Sequence, residues 1–192
     1  MSDPVRLDRD DLIDGLRELI WEAHTQGLSG VTIRIVGGAA LRLAHFDRDT
    51  TVDIDAQISP LDQLQPIIDR VAANRAWPPS WLNNNAAMFF PSWGRGVDWQ
   101  TLFDDGDVSI AVAPTDALLA MKLLASRPGR DTPDITKLLA LNEITSVEAA
   151  EELFEAFYPG DALPEKTIRL LNRIFEIGLP PKPSTPPPAD FS

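Results

Sequence analysis

The stretch Val31-Thr-Ile-Arg-Ile-Val-Gly-Gly-Ala-Ala-Leu-Arg42, followed by Thr51-Val-Asp-Ile-Asp-Ala-Gln-Ile58, decides the fold. Its first six residues are mostly β-branched and predict a strand over 31–36. Gly37-Gly38 then turns the chain into a short helix. Residues 51–58 alternate, with Val52, Ile54 and Ala56 on one face and Asp53, Asp55 and Gln57 on the other, which predicts a second strand. Two carboxylates at i and i+2 on a strand project from the same face, within reach of one cation. Magnesium takes oxygen ligands and commonly uses one or two carboxylates plus phosphate oxygens of a substrate. Gly37 and Gly38 let a backbone approach a phosphate closely, and the helix that follows presents free N–H groups. Two such halves side by side outweigh the alternative of a solvated strand face beside an ordinary glycine turn.

Upstream, Leu12, Ile13, Leu16, Leu19, Ile20 and Ala23 have the spacing of an amphipathic helix over 8–26, with aspartates at its positive end. Downstream, Ser59-Pro-Leu-Asp62 opens a helix to about Asn74, with Pro60 at its first position. Residues 76–107, rich in Trp, Asn, Gly and Pro, read as irregular, with short strands at 87–90 and 97–103. Val108–Ala113 is a strand, and Thr115 caps an apolar helix to Ala125. After a Pro128-Gly129 turn come helices from Thr132 to about Leu141, from a Thr145-Ser-Val-Glu148 capping box to about Tyr158, and from Pro164 to about Ile177. The order is helix, strands with intervening helices, then helices alone. That is an α/β (α+β) fold, a small mixed sheet flanked by helices with a helical C-terminal portion. It forms one domain over 1–178, with a core at 31–140 and C-terminal helices at 145–178. The Pro-rich tail 179–192 is expected to be disordered or extended.

The composition is that of an ordinary globular protein, and the 192 residues carry no cysteine, so thiolate metal sites and disulfides are excluded. A net charge of −12 argues against a broad nucleic-acid footprint, although one basic cleft or a bound cation escapes that argument. No basic stretch leading into an apolar core opens the chain, and no apolar run approaches the roughly 20 residues that span a bilayer. A cytoplasmic protein without a membrane is the expectation.

The blocks Val36-Gly-Gly-Ala-Ala-Leu41 and Arg48-Asp-Thr-Thr-Val-Asp-Ile-Asp55 resemble the signature of the nucleotidyltransferase superfamily with a DNA polymerase beta-like core. More narrowly they are similar to AbiEii-like nucleotidyltransferases, many of them toxins of toxin–antitoxin modules. The later block Leu118–Arg127, continuing to Arg130-Asp-Thr-Pro-Asp-Ile135, resembles that group's Lys … Arg-Asp-x-x-Asp pattern. The resemblance covers about residues 31–140.

It implies that Gly37 and Gly38 cradle nucleotide phosphates and that Asp53 and Asp55 bind Mg2+. It implies that Lys122 contacts phosphate, that Asp131 orients or deprotonates the acceptor, and that Asp134 is a second acid of that block. From the residues alone, Lys122 either snorkels from a buried helix or faces a site, and Asp131 is equally a charge before a helix cap. Arg48 is a candidate phosphate ligand, as is Arg42, and salt bridging to Asp47 or Asp49 is the alternative for both. The superfamily supplies a third carboxylate from a later strand; Val108–Ala113 has no acid, so Asp98, flanked by Val97 and Trp99, is the candidate, against an ordinary loop acid. Trp77, Trp81, Trp93 and Trp99 either stack on a base or pack beneath a loop. His24 and His45 form no ligand pair.

The expected activity is Mg-dependent transfer of a nucleotide from an NTP donor to an acceptor hydroxyl. The resemblance implies tRNA or a protein as acceptor and a cognate antitoxin as partner. Transfer to a small antibiotic-type molecule, or a degenerate member that binds a partner protein, are the alternatives.

Overall fold

The computed structural model describes residues 5–48, 50–127 and 129–191. The chain divides into two compact units, Met1–Ala87 with Trp99–Ala113 and Thr185–Ser192, and Met88–Asp98 with Pro114–Ser184. The core expected over 31–140 is therefore shared between the two units, which form a mixed α/β protein with a five-stranded sheet.

The first unit begins with helix α1, Arg9–Thr25. Asp8 caps it: its Oδ1 accepts from the Asp11 amide, while Asp11 Oδ2 accepts from the Asp8 amide. The predicted stripe from Leu12 to Ala23 is buried in full. Strand β1, Val31–Val36, runs directly into helix α2, Gly37–Ala40, which continues as one π-helical turn over Leu41–His45. Then follow β2 (Ile54–Ser59), α3 (Leu61–Arg75), β3 (Leu82–Asn83), β4 (Gln100–Asp104) and β5 (Val108–Val112).

The sheet order is β3-β2-β1-β5-β4. β1 is antiparallel to β2 and parallel to β5, β2 is parallel to β3, and β4 is antiparallel to β5. Ile33, Ile35, Ala56, Ile110 and Val112 are fully buried, while Arg34 and Gln57, paired in register, are exposed. A slip of one residue would expose the isoleucines and bury Arg34. Each buried aliphatic side chain contributes roughly 1.5–3 kcal/mol, which locks the register.

The second unit holds α4 (Thr115–Ala125), α5 (Thr132–Leu141), α6 (Val147–Phe157) and α7 (Glu165–Ile177). Residues 88–98 are strapped to α6. The Arg95 amide donates to Ala156 O at 2.7 Å, and Tyr158 Oη–H donates to Phe89 O at 2.5 Å. Burial raises the Tyr158 phenol above its ordinary pKa. A Cβ on Gly94 would stand 2.5 Å from the carbonyl oxygens of Ala156 and Phe157, so only glycine fits that approach.

Several local expectations shift. The second strand starts at Ile54 rather than 51, because the Thr51 backbone is engaged by Leu7 instead. Residues 85–89 form a 3-10 turn rather than a strand at 87–90. The strand expected at 97–103 runs over 100–104, because pairing begins where Gln100 meets Val112, the last residue of β5. Pro60 is the N-cap of α3, not its first residue, since Ser59 still belongs to β2. Pro114 caps α4, and the Thr115 hydroxyl donates to Asn142 Oδ1 at 3.1 Å instead. Ser146, not Thr145, caps α6, accepting from the Ala149 amide. Pro128 lies outside the described residues, while Gly129 has the positive φ of a turn, +83°. The Pro-rich tail has no helix or strand among its described residues, and its Phe191 is buried. Met1–Pro4, at the start of the expected domain, also lie outside the described residues.

Candidate functional site

In the first unit the glycine turn meets Asp55 at the carboxyl end of β1, while Asp53 precedes β2 and is not carried on that strand. Val36 pairs in register with Asp55, so the residue after Val36 faces the Asp55 side chain. Gly37 has φ +65°, a conformation an L side chain adopts only at a cost of about 1–2 kcal/mol. A Cβ there would also stand 3.3 Å from Asp55 Oδ2. The carboxylate thus borders the space that the missing side chain leaves.

At Gly38 a Cβ would collide with Arg48 Nη1 and stand 3.2 Å from Thr51 Oγ1. The guanidinium of Arg48 therefore lies directly over the turn, beside the Thr51 hydroxyl. Thr51 Oγ1–H donates to Asp53 O at 3.1 Å, holding the bend before β2. Asn83 Nδ2 donates to Asp53 Oδ2 at 3.2 Å, and Asn83 itself pairs with Asp55 in the β2–β3 register. Asp53 and Asp55 are both half-buried around the fully buried Ile54. Arg42, on the π-turn, has Nε and Nη1 buried with no hydrogen-bond acceptor among the described residues, and Asp49 lies outside them.

His45, at the end of the π-turn, positions this whole segment. Its Nε2–H donates to Ala113 O at 2.7 Å, just beyond β5, and the Ala113 amide donates to Ile35 O at 3.0 Å. Burial lowers the His45 pKa, against the opposing pull of the Ala113 carbonyl, so the ring is neutral at pH 7. It is an anchor, in keeping with the absence of any ligand pairing in its sequence surroundings.

The later block lies in the second unit and is closed on itself. Lys122 does not snorkel: its residue is 8% exposed, and Nζ pairs with Asp131 Oδ1 at 3.1 Å and Asp134 Oδ2 at 3.0 Å. Asp131 Oδ2 in turn accepts from the Arg127 amide and from Arg127 Nε, both at 3.1 Å. Burial pushes the Asp131 carboxyl pKa up, but Lys122 and Arg127 together outweigh it and hold it below the ordinary range. The cluster ties α4 to the start of α5.

Asp98 lies in coil before β4, exposed, and belongs to the second unit. It is not carried on a strand, because residues before Gln100 have no partner in β5. The tryptophans of the first unit are structural. Trp77 and Trp81 pack against each other beside Gly15, their ring centroids 5.3 Å apart and their planes tilted by 55°; a Cβ on Gly15 would come within 2.7 Å of the Trp77 ring, and Trp81 Nε1–H donates to Ile68 O. Arg34 stands 5.5 Å over the Trp99 ring, and Trp93 is 90% exposed.

Thr51, Asn83 and His45 escaped sequence reasoning as site-building residues. Asn83 and His45 lie in no motif and act through partners distant in the chain, whereas Thr51 lies inside the Arg48–Asp55 block and its hydroxyl reaches only two residues on, to Asp53. Among the described residues no group of three or more His, Cys, Asp or Glu side chains is placed to hold a metal by itself. None of the described helices is long and apolar enough to cross a membrane. Comparison with protein-family models, curated proteins and solved structures finds no match to this chain.

Proposed function

We propose that this protein is a nucleotidyltransferase that moves a nucleotide from an NTP to an acceptor hydroxyl, with the nucleotide held at the Gly37–Gly38 turn. The observation that carries the reading is the convergence at that turn. A carboxylate borders Gly37 and a guanidinium lies over Gly38, where no side chain intervenes. Asp53 and Asp55 suit Mg2+, since two carboxylates are what this ion commonly draws from a protein when substrate phosphates complete its shell. Bound there, the ion would supply charge neutralisation at the donor phosphates.

The chain's own residues do the rest. Gly37 admits a phosphate close to the backbone, and Arg48, whose guanidinium takes the space over Gly38, offers a planar, permanently charged donor pair to its oxygens. Asn83 orients the Asp53 carboxylate, and the Thr51 hydroxyl holds the Asp53 carbonyl at the bend before β2. In the transfer the acceptor oxygen bonds to the α-phosphorus, the bond from that phosphorus to pyrophosphate breaks, and the hydroxyl proton passes to solvent or a base. Catalysis by such a site is mainly positioning and charge stabilisation. The acceptor in this reading is tRNA or a protein, with an antitoxin as partner, as the sequence resemblance implies. Lys122 and Asp131, paired to each other, enter the reading as the scaffold of the second unit rather than as groups on the nucleotide.

The test is the melting temperature with and without MgATP, MgCTP, MgGTP and MgUTP. A nucleotide at about a hundred times its Kd adds roughly 2.7 kcal/mol of stability. The shift should be selective for one nucleotide and vanish in Asp53→Asn/Asp55→Asn. A folded wild-type chain unmoved by all four would sink the reading.

A further inference from the structure

The chain's end lies in the first unit as a docked peptide. Arg9 Nη2 donates to Pro187 O at 2.6 Å, and Arg17 Nη2 donates to Asp190 O at 2.7 Å. Phe191 is 5% exposed, and its ring meets that of Phe103 on β4 edge-on, with centroids 6.2 Å apart. Pro186 and Ala189 are half-buried while the residues between them are exposed. Contact at every third residue is the period of a polyproline II strand, the conformation this sequence favours.

The spacings match as well. Arg9 and Arg17 lie eight residues apart on α1, about 12 Å of helix. Pro187 and Asp190 lie three apart, about 9 Å of polyproline strand. Two arginines of ordinary reach close that difference when the tail runs parallel to the helix. Both read backbone carbonyls, which any extended segment offers, so side-chain selectivity falls on the aromatic anchor.

The receiving groups also have ties of their own besides the tail. Arg9 Nη2 also donates to Leu43 O at 3.3 Å, on the π-turn, a tie of that guanidinium besides the tail. Arg17 sits on the same rigid helix, where Nη1 pairs with Asp14 Oδ1 at 2.9 Å. Phe103 is fixed by the β4–β5 ladder. A preorganised surface loses little conformational freedom when it binds, while a proline-rich ligand has little to lose.

We propose that Arg9, Arg17 and Phe103 form a docking site for an extended, proline-rich peptide with an aromatic residue at its end. Residues 185–191 fill it in cis as an exchangeable ligand. The occupant is this chain's own tail, and a free peptide of the same pattern displaces it. The proposal stands apart from the nucleotide reading.

The experiment uses the full-length Phe191→Ala chain and a synthetic peptide of residues 184–192. The variant should remain folded by circular dichroism, melt below the wild type, and bind the labelled peptide saturably at one to one. Binding should raise its melting temperature towards that of the wild type. The same peptide with Phe191→Ala should bind at least roughly tenfold more weakly, since a buried phenyl ring dominates such a contact. Wild-type chain should bind the peptide more weakly than the variant does, because its tethered tail competes at an effective concentration on the order of millimolar. A second measurement covers loss of folding in the variant. The chain has no cysteine, so a full-length Ala189→Cys chain reports tail exposure through its thiol-labelling rate. Excess peptide should accelerate that labelling. No binding to a folded Phe191→Ala chain, equal binding of both peptides, or labelling unmoved by the peptide would each overturn the proposal.

Discussion

Two charged constellations came out of the same sequence resemblance, and the structure treats them in opposite ways. Around Lys122 three charges are nearly out of water and satisfy one another, with side chains 10%, 2% and 6% exposed for Lys122, Asp131 and Asp134. Around Gly37 the acids are only half-buried, and the adjoining backbone lacks the Cβ atoms that would close the space. A closed cluster spends its charge on holding helices together. Beside the glycines the two acids keep part of their surface in water. The lesson is that motif membership does not set a charged residue's role; desolvation and the identity of the partner do.

The largest effect should come from breaking the closed cluster. Lys122→Met takes the ammonium from the buried Asp131 and Asp134, although Asp131 keeps its bonds from Arg127, and should cost about 3–5 kcal/mol in urea denaturation. Adding Asp131→Asn should recover part of that loss. A loss below 1 kcal/mol for the single variant would show that water reaches the cluster.

Gly37→Ala comes next, at about 1–2 kcal/mol for a positive-φ alanine pressed towards Asp55. Gly38→Ala sharpens the contrast, because the atom it meets is the far end of the flexible Arg48. It should cost less stability and yet abolish the nucleotide-dependent melting shift. Retention of that shift would separate Arg48 from the nucleotide.

A smaller, pH-dependent effect distinguishes the two regions by titration. The His45 pKa is lowered in the folded state, so its contribution is present in full above about pH 6.5. It is lost as pH falls from there through the lowered value, because the unfolded chain takes up the proton first. The Asp131 pKa is also lowered, so its contribution is present above about pH 3.9 and is lost only as pH falls through the depressed value. Stability should therefore decline in two stages, and His45→Gln should remove the upper one alone. A single decline near pH 4 in the wild type would place His45 in water.

Smallest of all is Arg169→Ala. Its pairing with Glu165 at 3.2 Å is exposed on both sides, at 71% and 88%, and its removal should leave the urea midpoint unchanged.

Much of this was legible in one dimension because the signals are local. The α1 stripe, the alternation of β1 and the apolar runs of β5 and α4 each depend on a short window, and burial follows them. The Gly37–Gly38 turn was readable for the same reason, whereas the strand expected to carry both acids begins at Ile54 and leaves Asp53 outside it. Helix caps slipped by one residue, at Pro60, Pro114 and Ser146, because adjacent residues compete for the cap and tertiary contacts choose between them. Residues 76–107 misled because β3 and β4 exist only through their partners; Leu82–Asn83 is a strand solely because β2 lies beside it.

By itself, then, the sequence determined which segments are helix or strand, which faces are apolar, and that glycine and carboxylate would be neighbours at the end of one strand. These follow from periodicity and from backbone sterics, which a few residues suffice to express. Only the tertiary structure decided that Lys122 and Asp131 neutralise each other, that His45 pins the glycine-bearing helix to β5, and that Phe191 folds back onto Phe103. Each of these joins residues that no local window connects, and each is settled by what the fold desolvates and what it sets within hydrogen-bonding distance.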